Sequence, residues 1–176
     1  MQKASHYRKF LAMIFMACLL VYPLAHLFYW CFAPDLPTEF FKSLPVSSEL
    51  VHWNSWTRIA GYLITLPSVV LLMRVFWVLR KLFQRFQKGI FFQSKNVVAI
   101  RAVAWALLLN AIYPLFSTPM LSYALTFQNP IREPIFRFSF TFSHNLLPII
   151  LSIAVWALSD ILAEAVVLQD DADQTI

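Results

Sequence analysis

The chain has 176 residues, of which 60% are hydrophobic and 13% charged, with a net charge of +5, two glycines and two cysteines. Soluble domains carry roughly twice that share of charge, so the composition excludes an ordinary aqueous fold and makes lipid the solvent for most of the surface.

A hydrocarbon core of about 30 Å needs about 20 apolar residues in a helix rising about 1.5 Å per residue. Four stretches are long enough: Phe10 to Phe32, Ile59 to Leu79, Val97 to Phe116 and Leu146 to Leu168. The predicted fold is therefore an all-α membrane protein, one domain over residues 1–176, with four transmembrane helices and a small extracytoplasmic β-hairpin cap. The helices are placed at 10–32, 59–88, 96–116 and 146–168. None of the stretches holds a glycine pattern of the small-xxx-small kind, so close backbone contact is not announced.

The first stretch follows Lys3, Arg8 and Lys9. Its apolar run is longer than the roughly 7 to 15 residues of a signal-peptide core and ends in Phe28-Tyr29-Trp30 without a small-residue cleavage site, so it is read as a retained anchor. Cys18 and Cys31 share this helix about 20 Å apart, too far to bridge, and read as packing residues. The loop 33–58 follows, with Pro34, Pro37 and Pro45 and a run Ser47-Ser48-Glu49-Leu50-Val51 that suits a short strand. Tyr29, Trp30, Trp53, Trp56 and Tyr113 fall where an outer aromatic belt belongs.

The second helix is expected to continue past the membrane surface. Leu79, Leu82, Phe83 and Phe86 recur at helical spacing among Arg80, Lys81, Arg85 and Lys88, an amphipathic pattern suited to headgroups. Gly89 reads as the C-terminal cap, and Ser94 or Asn96 as the acceptor for the N–H groups that open helix three. The segment 80–96 holds cations and no acidic residue, which makes it the cytoplasmic link under the positive-inside rule. Both termini then lie in the cytoplasm, and loops 33–58 and 117–143 lie outside. Because these cations already set topology, direct nucleic-acid binding is not expected. Arg80, Lys81, Arg85, Lys88, Gly89, Phe92 and Asn96 form the candidate cytoplasmic interaction surface, suited to anionic membrane lipids or an acidic protein.

Within the spans, helical rise places Arg74, Arg101 and Asp160 in one layer toward the cytoplasmic side, with Glu164 one turn beyond Asp160 on the same face. A lone charge at mid-membrane costs about 2.5 to 3.5 kcal/mol, so these four are expected to form a balanced intramembrane charge cluster. Snorkelling of the two arginines is the competing arrangement.

The second external loop shows period-two patterning. Leu121, Tyr123, Leu125 and Phe127 alternate with smaller or polar residues, and after Asn129-Pro130 and Glu133-Pro134 the series Phe136, Phe138, Phe140 and Phe142 alternates with Arg137, Ser139, Thr141 and Ser143. Such alternation predicts a β-hairpin with one external aromatic face. The chain closes on the acidic run Asp170-Asp171-Ala172-Asp173, suited to attraction by the basic link.

No phosphate loop, zinc spacing or nucleophile–base pair is present. His26, His52 and His144 come from separate segments without paired spacing. No cofactor, metal or catalytic activity is expected.

Two motifs carry a family likeness. Gly89-x-x-Phe92-x-x-x-Asn96-Val97-x-x-Ile100-Arg101, together with Leu162-Ala163-Glu164-Ala165 and the ending Asp173-Gln174-Thr175-Ile176, resembles the bacterial membrane proteins grouped as domain of unknown function 2975. The resemblance implies four spans in a bacterial inner membrane. It also implies a membrane component of a regulatory pair whose partner is a small cytoplasmic DNA-binding regulator. The expected role is a sensor or membrane anchor for such a partner. The alternative is a small transporter or channel subunit, a homo-oligomer that uses the intramembrane charge cluster.

Overall fold

A computed structural model describes residues 2–35, 44–47, 51–127, 133–138 and 146–174. They form helices α1 (Gln2–Phe32), α2 (Ser55–Gln87), α3 (Ser94–Ile112), α4 (Pro114–Thr126) and α5 (Leu147–Gln174), with a short 3-10 turn at Ala33–Asp35. Four helical stretches are long and apolar enough to cross a membrane: Phe10–Phe32, Ser55–Gln87, Ser94–Thr126 and Leu147–Gln169. Helix α1 packs on α2, α2 on α3, α3 on α5, and α4 folds back onto α2.

Helix α2 starts earlier than the apolar run because a capping box sets its end. The Asn54 carboxamide accepts from the Thr57 amide at 2.8 Å, and the Thr57 hydroxyl accepts from the Asn54 amide at 3.0 Å. Arg58, just inside the helix, donates to the Cys31 carbonyl at 3.0 Å and so satisfies an open acceptor at the end of α1.

The third span differs from expectation. Helix α3 does not stop for a loop but resumes as α4, with Pro114 in the first turn, where its missing N–H is harmless. The strand expected over 121–127 is helical, and no strand is found among the described residues. The physical reason lies in the spacing. Residues two apart over four positions also contain two pairs four apart, and here those pairs decide. Leu121 and Leu125 are buried together, while Tyr123 and Phe127 place their rings 5.3 Å apart on another side of the helix.

The expected second arm, 136–142, is described only to 138; residues 133–138 have no regular secondary structure and bond to a helix instead of a strand. The Ile135 amide donates to the Thr126 hydroxyl and the Arg137 amide to the Ser122 hydroxyl, each at 2.9 Å. Alternate residues of an extended chain are about 6.6 Å apart, close to the pitch of one helical turn, so hydroxyls at i and i+4 fit amides at j and j+2. Both hydroxyls are buried, and each donates to its own helix, to the carbonyls of Pro119 and Ser122. Phe136 stacks on Tyr123 at 4.6 Å, Phe138 stands 79% exposed, and Phe140 and Phe142 lie outside the described residues. The same end of the bundle buries Trp30, Val46, Val51, Leu121 and Leu125 as one core, tied further by Arg137 donating to the Pro45 carbonyl at 3.0 Å. Trp30 is thus a core residue and not part of a surface belt, whereas the Trp56 ring is exposed.

Both glycines of the chain meet a specific demand. A Cβ on Gly61 would collide with the six-membered ring of Trp30, so α1 and α2 are in close contact there despite the lack of a glycine repeat. Gly89 has φ +76°, the left-handed conformation that side chains disfavour.

Candidate functional site

The turn between α2 and α3 is built as a rigid corner. Lys88 is the C-cap of α2; the Gly89 amide donates to Phe86 and the Ile90 amide to Arg85, each at 3.2 Å, the two bonds of a Schellman motif. Two side chains then hold the loop from within. The Arg85 guanidinium donates to the Lys95 carbonyl and to the Asn96 Oδ1, both at 3.2 Å. Asn96 Nδ2 donates in turn to the Ile90 carbonyl at 3.1 Å and the Phe91 carbonyl at 2.8 Å.

Asn96 is fully buried, so a carboxamide supplies the polar partners that this tight loop would otherwise lack. This corrects the expectation that it accepts from the opening N–H groups of α3. The cap position is Gln93, without a side-chain cap bond, and Asn96 faces the loop instead. Arg85 is likewise committed internally. What the corner presents outward is Lys88, Phe92, Gln93, Ser94 and Lys95, all exposed.

Ring contacts, three of them stacked and one edge-on, support the corner from below. Phe15 contacts Phe76 and Phe83 at 6.4 and 5.6 Å, Phe83 contacts Phe86 at 6.0 Å, and Phe86 contacts Phe91 at 5.3 Å. This chain of rings ties α1 to α2 and reaches the loop. On the outer face of α2, the Lys81 ammonium lies 3.5 Å from the Trp77 ring centre, a cation–π pair. Phe92, Gln93, Ser94 and Lys95 also border Val166 of α5 across a shallow groove, one turn before the acidic end of that helix. That end is helical to Gln174, six residues past the expected limit of 168.

Of the four intramembrane charges, the structure pairs two. Arg101 of α3 donates to the Asp160 Oδ1 of α5 at 2.7 Å, with the side chains 45% and 53% exposed. Arg74 of α2 shares a groove with Arg101 but makes no ion pair among the described residues, and neither does Glu164. Helical rise puts all four at similar depth, but α3 stands between α2 and α5, which have at most marginal contact. A common depth therefore does not bring Arg74 to Asp160. The α3–α5 contact is reinforced by the Ser152 hydroxyl donating to the Ala104 carbonyl at 2.9 Å and by the edge-on pair Trp105–Trp156 at 5.1 Å.

Sequence reasoning missed a polar node between α1 and α2. The Thr65 hydroxyl donates to the Gly61 carbonyl at 2.7 Å, so its oxygen accepts from Trp30 Nε1 at 3.0 Å and from His26 Nε2 at 2.8 Å. His26 is then an internal donor with its Nδ1 buried and unpartnered. His144 lies outside the described residues, and no cluster of three metal-ligating side chains occurs among those described. A second missed tie is Tyr113, whose hydroxyl donates to the Ile64 carbonyl at 2.6 Å. Its acceptor is next to Leu63, whose carbonyl loses its helical donor at Pro67. A Thr and a Pro two residues apart inside an apolar helix were the available signal for both.

Residues 20–176 match a family model described as Protein of unknown function (DUF2975). No curated protein and no solved structure is significantly similar to the chain.

Proposed function

The chain belongs to the DUF2975 family of proteins of unknown function, and from that premise we propose that it is a non-catalytic membrane anchor whose α2–α3 corner docks an acidic cytoplasmic regulatory protein. The observation that carries this reading is the internal construction of the corner. Gly89, Arg85 and Asn96 fix the backbone, and this leaves Lys88, Phe92 and Lys95 displayed on a loop whose ordering does not depend on a partner. A preorganised surface loses less conformational freedom on binding, and an aromatic ring flanked by cations suits an acidic, partly apolar patch. The positive-inside rule supports a cytoplasmic position for this end.

The Arg101–Asp160 contact fits the same role as a tie between α3 and α5. Both side chains are half exposed on the flank of the bundle, which favours a structural link over a lined pathway. An event at the α4 end reaches the corner through α3 in this reading, since α3 connects the two.

The test is co-purification in mild detergent from native membranes. A soluble acidic protein is expected to accompany the wild type and to be lost from the Lys88→Glu, Lys95→Glu double variant. Arg85 is not a suitable target, because its reversal would break the corner itself. Retention of the same protein by the reversed variant overturns the proposal.

A further inference from the structure

The groove between α2 and α3 has the layout of an amphiphile. It encloses about 400 Å³ and is lined by Leu71 and Arg74 from α2 and by Val98, Arg101, Trp105 and Leu109 from α3. The helices run antiparallel, so the ends can be assigned from residue order. Val98 and Arg101 lie toward the α2–α3 corner and Leu71 and Leu109 toward the bundle centre, with Arg74 between, since its neighbour Val75 packs with Val103 and Ala106. From Val98 to Leu109 the helical rise is about 16 Å, enough for a headgroup region and the upper part of an acyl chain. Depth is marked independently: Trp77 with Lys81 stacked on it stands one turn nearer the corner than Arg74, and such aromatic and cationic pairs sit at the headgroup boundary.

The charges are unbalanced. Asp160 answers Arg101 on its α5 side, whereas Arg74 has no carboxylate among the described residues, so the groove keeps an excess positive charge. Two guanidiniums lining one apolar trough, Arg101 nearer the corner and Arg74 deeper, offer planar donors to phosphate oxygens.

We propose that this groove is a binding site for an anionic phospholipid of the surrounding bilayer, with its phosphate held by the long side chains of Arg101 and Arg74 and an acyl chain along Leu71 and Leu109. The bound lipid supplies the anion that Arg74 lacks within the protein. It also fills the gap between α2 and α3, and so steadies the span that carries the Arg101–Asp160 tie.

The experiment is native mass spectrometry of the detergent-purified protein after incubation with phosphatidylglycerol or phosphatidylcholine. Preferential retention of phosphatidylglycerol is expected. Arg74→Gln should lower that retention about tenfold, the weight of one charge-assisted hydrogen bond of about 1.4 kcal/mol. Lys95→Gln, on the exposed corner, should change it little, and thermal unfolding of both variants without added lipid controls for misfolding. Arg74→Lys, which keeps the charge, is expected to fall between. Equal retention of the two lipids overturns the site, as does a loss with Lys95→Gln equal to that with Arg74→Gln. Displacement of the lipid by inorganic phosphate would also overturn it, because the occupant would then be a free anion and not a lipid.

Discussion

The indole of Trp30 lies against the backbone of Gly61 so closely that no side chain fits between them, and its N–H is held by Thr65 one turn further along the same helix. Ring and helix are locked in position together, which fixes the crossing of α1 and α2. Gly61→Ala should therefore lower stability by about 1–3 kcal/mol, the usual cost of overpacking. The check is thermal unfolding in detergent as a double-mutant cycle. Trp30→Leu alone should destabilise through lost core packing, and in its presence the alanine should cost little, because the clash is gone.

The corner between α2 and α3 is expected to loosen by two separate routes. Gly89→Ala forces a side chain into the left-handed region at a cost of about 1–2 kcal/mol. Asn96→Ala leaves the Ile90 and Phe91 carbonyls without their donor, costing about 1–3 kcal/mol for buried polar groups. Hydrogen exchange of the amides from 88 to 95 should rise in both variants, with the helical amides of α5 unchanged.

Most of the helical architecture was legible, because a span is dictated by a run of apolar residues and by the length lipid imposes. Gly89 could be read as a helix terminator for the same local reason: only its own φ matters. What could not be read was anything that depended on the order of helices around the bundle. Sequence arithmetic gives Arg74 and Asp160 a common depth, but α3 stands between their helices, and Val75 beside Arg74 packs with Val103 and Ala106, deeper than the Arg101–Asp160 contact. The hairpin misreading had a different source. Leu121, Tyr123, Leu125 and Phe127 satisfy periods of two and of nearly four at once, and the burial of Leu121 with Leu125 chose the helix. The alternation from Phe136 to Phe142 suggested a strand, but 133–138 has no regular secondary structure, and the hydroxyls that receive it, Ser122 and Thr126, looked like ordinary polar residues on an external loop.

Removing those hydroxyls should release segment 133–138. Ser122→Ala and Thr126→Val each delete one acceptor, at about 0.5–1.5 kcal/mol apiece. Hydrogen exchange at Arg137 should rise in the first variant and at Ile135 in the second. The reverse pairing of variant and amide would contradict the register described above.

The Arg101–Asp160 contact should behave as a pair. Arg101→Gln or Asp160→Asn strands one charge on an apolar flank, whereas the double variant strands none. A double-mutant cycle on thermal stability is expected to give a favourable coupling of about 1–2 kcal/mol, between the value of an exposed pair and the cost of a lone charge in lipid. Glu164→Gln should show no coupling to Arg101.

The central claim is that the α2–α3 corner meets a soluble partner, and the most direct measurement is photo-crosslinking in living cells from a benzophenone amino acid at position 92. The account predicts one discrete adduct with an acidic soluble protein. That adduct should weaken when Lys88 and Lys95 are reversed to glutamate, and also when Gly89→Ala deforms the loop. Adducts with lipid alone, or a protein adduct indifferent to all three substitutions, would contradict it.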